Sequence, residues 1–270
     1  ANPVDALCLQ ETKQQDKDFP QAEFQAAGYH SVFSGQKTYN GVAILSRTPA
    51  GDMQFGIPDF PDEHKRVIAA TFTSDSIAKV KQGGDERTTQ TVLIARPGVS
   101  EEANAVSPMQ SDRIRVVCVY VPNGQSIDSD KYQYKLAWLA ALRDWLKQEL
   151  KRYPQLVLLG DYNIAPEDRD VYDPVAWQGN VLVSEPERQE FRNLLQLGLR
   201  DSFRLFEQPE KSYSWWDYRM MAFRRNMGLR IDHILVSEPL AAQCKSCVID
   251  KAPRKLERPS DHTPVVAELG

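Results

Sequence analysis

Histidine and cysteine are scarce: each occurs four times in 270 residues. The histidines are scattered, and no ordered Cys/His cluster exists. That disfavours a structural or catalytic zinc site. Cys8 and Cys118 sit inside apolar runs and read as small buried hydrophobes. Cys244 and Cys247 form one Cys-x-x-Cys pair with no second pair beside it, and two reduced thiols near a strand end is the expected reading. No apolar run approaches the roughly 18 residues that a membrane span needs. No basic stretch followed by an apolar one opens the chain, so a cytoplasmic protein with no membrane partner is expected. Nor is there an excess of positive charge: the formal net charge is −4. Its distribution is uneven, however. Residues 192–258 hold 13 Lys and Arg against 8 Asp and Glu, whereas the remainder holds 20 against 29. A local basic surface is permissive for phosphate binding on an acidic chain.

What is present is a series of short apolar runs separated by turn residues. Segments 5–10, 41–46, 67–72, 114–121, 156–160, 231–236 and 264–268 read as strands. Between 131 and 152 the apolar side chains Tyr134, Trp138, Leu142, Trp145, Leu146 and Leu150 fall at helical spacing. A second helix is predicted from Ser184, where Ser-Glu-Pro-Glu forms a capping box with Pro in the first turn, to about Gly198. Strands outnumber helices, which points to stacked sheets with helices outside in an α/β (α+β) chain. The length suits one domain over 1–270. The stretch 74–112 stands apart as an insertion, with Gly83-Gly84, an extra strand expected at 91–95 and a polar stretch at 98–112.

Polar groups gather at strand ends. In LLGDYN an apolar run closes on Gly160, and Asp161 and Asn163 follow at spacing two. Continued extension would turn both to one side. A carboxylate there can orient and deprotonate water, and an amide can donate to a phosphate oxygen. An Asp/Asn turn closing the strand fits as well. Asp261 and His262 precede the last strand. Asp232 lies inside an apolar run, opposite Ile231, His233 and Leu235, and needs a partner; pairing with His262 would satisfy it and orient the imidazole. A salt bridge to Arg230 or another Arg is the structural alternative. Glu11 closes the first run, and a hard carboxylate at that position suits Mg²⁺. His233 reads as packing.

LQETK, YVPNG, GDYN, YSWWDYR, GLRIDH and PSDH follow one another in an order that resembles the exonuclease III group of apurinic/apyrimidinic endonucleases. That group belongs to the endonuclease/exonuclease/phosphatase superfamily. The resemblance implies a four-layer α/β sandwich, with two facing, mostly antiparallel sheets flanked by helices. It implies Mg²⁺, with Mn²⁺ as a substitute, and a monomer acting on double-stranded DNA at abasic or 3′-blocked sites. Hydrolysis 5′ to an abasic site is implied, together with 3′→5′ exodeoxyribonuclease and 3′-phosphatase activity. By position, Glu11 corresponds to the Mg²⁺ ligand, and Asp261 to a group on the metal side or one supporting it. Asp161 corresponds to the water-activating group, Asn163 to its amide neighbour, His262 with Asp232 to the phosphate-contacting pair, and Tyr120 to a phenol near the phosphate. Lys13, Asn123, Asn180, Trp215, Arg219 and Leu229 correspond to the DNA side, Trp215 and Leu229 as walls of a pocket for a base-free sugar. The group also has an earlier strand bearing Asn-x-Asn or Asn-x-Asp. This chain starts after that point, so the N-terminal strand is expected to be missing and a sheet edge to lie unpaired. Two other readings are weighed: a phosphodiesterase or phosphatase of inositol phosphates or phospholipids, and a catalytically impaired binder of damaged DNA.

Overall fold

The computed structural model describes residues 4–73, 91–95 (backbone only) and 113–270. Its strands are β1 (Ala6–Gln10), β2 (His30–Ser34), β3 (Val42–Ser46), β4 (Gly51–Phe55), β5 (Val67–Thr73), β6 (Thr91–Ala95), β7 (Arg113–Tyr120), β8 (Leu156–Asp161), β9 (Leu199–Asp201), β10 (Asp232–Ser237), β11 (Cys244–Ile249) and β12 (Val265–Leu269). They form two six-stranded sheets, ordered β11-β12-β6-β1-β3-β2 and β4-β5-β7-β8-β10-β9. The helices are α1 (Gln21–Ala26), α2 (Asp130–Arg152), α3 (Pro174–Trp177), α4 (Glu185–Leu195) and α5 (Glu238–Ala241). No helix among the described residues is long and apolar enough to cross a membrane.

Alternation along the strands builds the layers. Cys8 of β1, Val42 and Ile44 of β3, Ile68 and Ala70 of β5, Val116 and Cys118 of β7, Val157 and Leu159 of β8 and Ile234 and Val236 of β10 pack into one core between the sheets. The other face of the second sheet offers Val117, Leu156, Leu158 and Leu235 to Trp138, Leu139, Leu142 and Leu146 of α2 and to Phe191 and Leu194 of α4. The outer face of the first sheet, Leu9, Ala43 and Leu45, packs on Phe19, Phe24 and Phe33. Helix, sheet, sheet and helix thus make four layers, as expected. The α2 helix begins on Ser129, whose side chain accepts from Tyr132 N–H. The capping box at Ser184 and Glu187 opens α4, with Pro in its first turn.

The unpaired edge expected beside β1 is absent. Here β1 pairs with β3 on one side and with β6 on the other, and β6 continues parallel to β12. The strand expected at 91–95 therefore fills an interior position and satisfies the main-chain groups of β1. The rest of the insertion expected at 74–112 lies outside the described residues, including Gly83-Gly84 and the polar stretch at 98–112. The Cys-x-x-Cys pair carries two free thiols on β11, with Cys247 buried beside the Ser202 hydroxyl.

Candidate active site

Register assembles the site. In the parallel pair β7/β8, Tyr120 stands opposite Asp161; in the antiparallel pair β8/β10, Asp161 stands opposite Asp232. All three share the parity of the side chains that face the other sheet, so a phenol and two carboxylates form a row where the inter-sheet core ends. The crossing is close. Gly160 has φ +140°, and a Cβ there would lie 1.9 Å from the carbonyl oxygen of Val119, so only glycine lets β8 run beside β7 into the site.

Asp161 and Asp232 are both buried. Asp232 holds His262 through Nδ1, at 2.9 and 3.1 Å from its two oxygens. This leaves Nε2 without a protein partner among the described residues and sets the imidazole's orientation. Asp161, Asp232 and His262 offer ligand atoms within 4.8 Å of one another. Burial raises the Asp161 carboxyl, Asp232 adds to the rise and His262 opposes it, leaving it at about 7. For His262 burial works against the cation, but Asp232, Asp161 and Asp261 outweigh it and push the imidazole up to about 9. Tyr120 is driven well above the ordinary phenol range by burial, then by Glu11 and Asp161, so it stays a donor.

Extension does not continue past β8 as the spacing suggested. Asn163 has φ +49°, and its main-chain N–H donates to Asp161 Oδ1 at 2.8 Å. The turn still delivers the pairing, because Asn163 Nδ2 donates to Asp161 Oδ2 at 3.0 Å and to the Val121 carbonyl at 3.1 Å. Asn123 Nδ2 in turn donates to Asn163 Oδ1 at 3.0 Å. Left-handed backbone also occurs at Glu11 (φ 52°) and Lys13 (φ 54°). Strain of this kind persists where surrounding contacts over-determine it.

Glu11 accepts from the Tyr120 hydroxyl and lies 2.8 Å from Lys13 Nζ. Asp261 Oδ2 accepts from Trp215 Nε1 at 3.0 Å. Both therefore border the buried Asp161–Asp232–His262 group and stand outside it. Beside Glu11, the buried oxygens Gln10 Oε1, Thr12 Oγ1 and Asn40 Oδ1 have no hydrogen-bond partner among the described residues. An oxygen-rich, carboxylate-bearing rim with unsatisfied acceptors fits a hard divalent cation such as Mg²⁺.

The remaining sequence-predicted residues are spread around this centre. Trp215 is half-buried and bridges both His262 and Leu229. Leu229 is fully buried, with Val171, Leu182 and Ile231, so it backs Trp215 without reaching the surface. Asn180 is exposed and donates to the Ala176 carbonyl. Arg219 is exposed and forks onto Asp217 at 2.6 Å. Beside it Met220 and Met221 are exposed apolar side chains at a loop tip. His233 is structural, but it is hydrogen-bonded as well as packed: Ile164 O lies 2.9 Å from Nε2 and Arg230 Nη1 lies 2.9 Å from Nδ1. Arg230 pairs with Asp170 and Asp201 rather than with Asp232.

Several supporting residues carry no sequence signal of their own. Buried Ser214 accepts from the N–H groups of Ile231 and Asp232, both at 3.1 Å. Arg66 lies over the Tyr120 ring at 4.7 Å.

A family model described as "Endonuclease/Exonuclease/phosphatase family" matches residues 1–262. An exodeoxyribonuclease III from Haemophilus influenzae is 32% identical over 274 residues, covering 98% of this chain and 90% of that protein. Among solved structures, a 3′ phosphatase, NExo, from Neisseria bound to product DNA hairpin is 44% identical with a TM-score of 0.84, covering 100% of this chain and 90% of that chain. An AP endonuclease from Archaeoglobus fulgidus is 37% identical with a TM-score of 0.79, covering 98% and 88%.

Proposed function

Because the chain belongs to the endonuclease/exonuclease/phosphatase family and is a hydrolase of the exonuclease III type, we propose that it is a Mg²⁺-dependent DNA-repair nuclease. It hydrolyses the phosphodiester 5′ to abasic sites in duplex DNA and removes nucleotides and phosphates from 3′ ends. The observation that carries this reading is the buried row Tyr120–Asp161–Asp232 with His262 anchored on Asp232. The neighbour bound to a product DNA hairpin supports DNA as the substrate, and the archaeal AP endonuclease supports the abasic site.

In-line attack on a phosphodiester needs a base at the water and positive or donating groups at the developing charge. Asp161, held near 7, takes the proton of the attacking water. His262, kept protonated by its acidic neighbours, donates from Nε2 toward a phosphate oxygen. Asn163 orients Asp161, and Tyr120 stays protonated beside the leaving side. Glu11, with Asp261 on the outer rim, would hold Mg²⁺, which when bound neutralises charge on the phosphate oxygens. Trp215, backed by Leu229, lines the space for a base-free sugar. Arg219, with Asn180, Asn123 and Lys13, contacts the strand backbone or the groove. An inositol-phosphate or phospholipid substrate draws no support from the relatives compared.

The test is a labelled duplex with one tetrahydrofuran abasic analogue, run beside a duplex with a 3′-phosphate end, each with Mg²⁺ and with EDTA. Metal-dependent cleavage 5′ to the analogue, plus release of the 3′-phosphate, is expected. A folded protein that leaves both substrates intact at any Mg²⁺ or Mn²⁺ concentration would overturn the proposal.

A further inference from the structure

Lys135 is fully buried in the second turn of α2, where a solvated lysine would be ordinary. Its ammonium has three donors, and the structure supplies three acceptors. They are the Asn163 carbonyl at 2.7 Å, the Asn123 carbonyl at 3.1 Å and the Glu187 carboxylate. Two of the three are main-chain oxygens of the loops that carry the site amides, and neither loop offers them a strand partner. Glu187, also fully buried, spends its remaining capacity on Leu182 N–H at 3.0 Å, Ser184 N–H at 3.1 Å and the Ser184 hydroxyl. The Leu182 carbonyl then accepts from Ala165 N–H at 2.7 Å, two residues beyond Asn163. One ion pair therefore joins the loop at 121–124, the turn at 161–165 and the loop at 179–184. It lies behind the catalytic row, across the face that α2 covers.

The consequence runs through Asn163. This residue holds φ +49° in a buried turn, a conformation that costs energy unless neighbours fix it. Its carbonyl is fixed by Lys135, its N–H by Asp161, and its side chain by Asp161, Val121 and Asn123. Releasing the carbonyl frees the turn, and with it the amide that orients the Asp161 carboxylate. We propose that Lys135 and Glu187 are positioning residues for the hydrolytic reaction: they lock Asn163 in register with Asp161 and tie that turn to the loop carrying Asn180. The inference rests on the functional reading above and extends it to two side chains that touch neither substrate nor metal. Groups that orient reacting residues typically account for about 10- to 100-fold in activity.

Removing one partner alone strands a buried charge and threatens the fold. The main variant is therefore Lys135→Met with Glu187→Gln, and its thermal transition is followed alongside activity on the abasic duplex. The expected result is a folded protein whose kcat falls about 10- to 100-fold, with KM within about threefold of wild type. In an Asn163→Ala background the same pair of changes should cost less than about twofold, because the route is already cut. A kcat within about twofold of wild type, or the same loss in both backgrounds, overturns the proposal. If the double variant does not fold, Glu187→Gln alone serves, since it leaves an amide oxygen for Lys135 and Leu182 N–H; the same cycle with Asn163→Ala is then read. If wild type is inert on DNA, the functional reading fails separately. Amide exchange of Asn163 then decides the positioning role. It should speed at least about tenfold in the double variant while Val117 in β7 is unchanged, and unchanged exchange at both overturns it.

Discussion

Asp161 is a carboxylate placed where ionising is hard and useful. Burial and Asp232 raise it to about 7, so near neutral pH it can both take a proton and give it up. Asp161→Asn keeps the shape and removes the base. Single-turnover cleavage should slow by about 10²- to 10⁴-fold. Affinity for the abasic duplex, read by fluorescence anisotropy in EDTA, should stay the same or tighten, since a negative charge facing a polyanion has gone. A weakened affinity with normal cleavage would refute the assigned role. Asp232 supports a second expectation. Cleavage should rise with pH as Asp161 deprotonates near 7 and fall as His262 deprotonates near 9, as a property of the coupled pair; bound Mg²⁺ moves the lower limb further down. Asp232 raises both groups, so Asp232→Asn should shift both limbs to lower pH. A kcat/KM profile from pH 5 to 10 checks this, and limbs that stay in place would mean that Asp232 does not face both partners. These residues were legible because each ends or interrupts an apolar run. Glu187 was legible only as the partner of Ser184 in the capping box, and its link to Lys135 was not. Ser214 and Lys135 were not legible, since their roles arise from main-chain groups brought near by the fold, and nothing in their own neighbourhoods encodes those partners.

At the scale of elements, legibility followed position in the sheet. The seven strands expected from apolar patterning correspond to β1, β3, β5, β7, β8, β10 and β12, and each of the seven has a neighbour on both sides in its sheet. The four strands without an expectation, β2, β4, β9 and β11, are the four sheet edges. Edges bury one flank and carry exposed polar side chains, as in Gly51–Phe55, so their alternation is diluted. Strand β10 shows what the interior can hide. His233 sits between Arg230 and the Ile164 carbonyl and packs edge-on against Tyr162, ring centroids 5.1 Å apart. Burial, then Arg230, lowers its imidazole from 6.5 to about 4. Between those values the unfolded chain binds a proton that the folded chain refuses, so stability rises with pH across this window. The contribution is full above about 6.5 and is lost as pH falls toward 4. Urea unfolding midpoints should therefore drop between pH 6.5 and 4, and His233→Gln should flatten that drop. An equal drop in the variant would place the acid sensitivity elsewhere.

The whole molecule is an acidic protein that must approach a polyanion. With a net charge of −4, long-range attraction is not available to the chain as a body. On the proposed reading, binding comes from the local excess of Lys and Arg in residues 192–258, which includes the Arg219 loop, and from a divalent cation that the acidic rim would hold. Contacts of this kind release counterions from DNA, about 0.9 per phosphate neutralised on a logarithmic scale. Between 50 and 300 mM KCl, KM for the abasic duplex should climb steeply, with a slope corresponding to roughly three to six phosphates. The chemical step should hardly move, because Asp161, Asp232 and His262 are buried and screened from salt. Charge-reversing Arg219 to Glu should reduce that slope by about one or two while leaving single-turnover cleavage at saturation near wild type. A KM indifferent to salt would mean that the basic segment does not face the duplex, and that the exposed Met220 and Met221 tip, or the sugar pocket at Trp215, supplies the affinity instead.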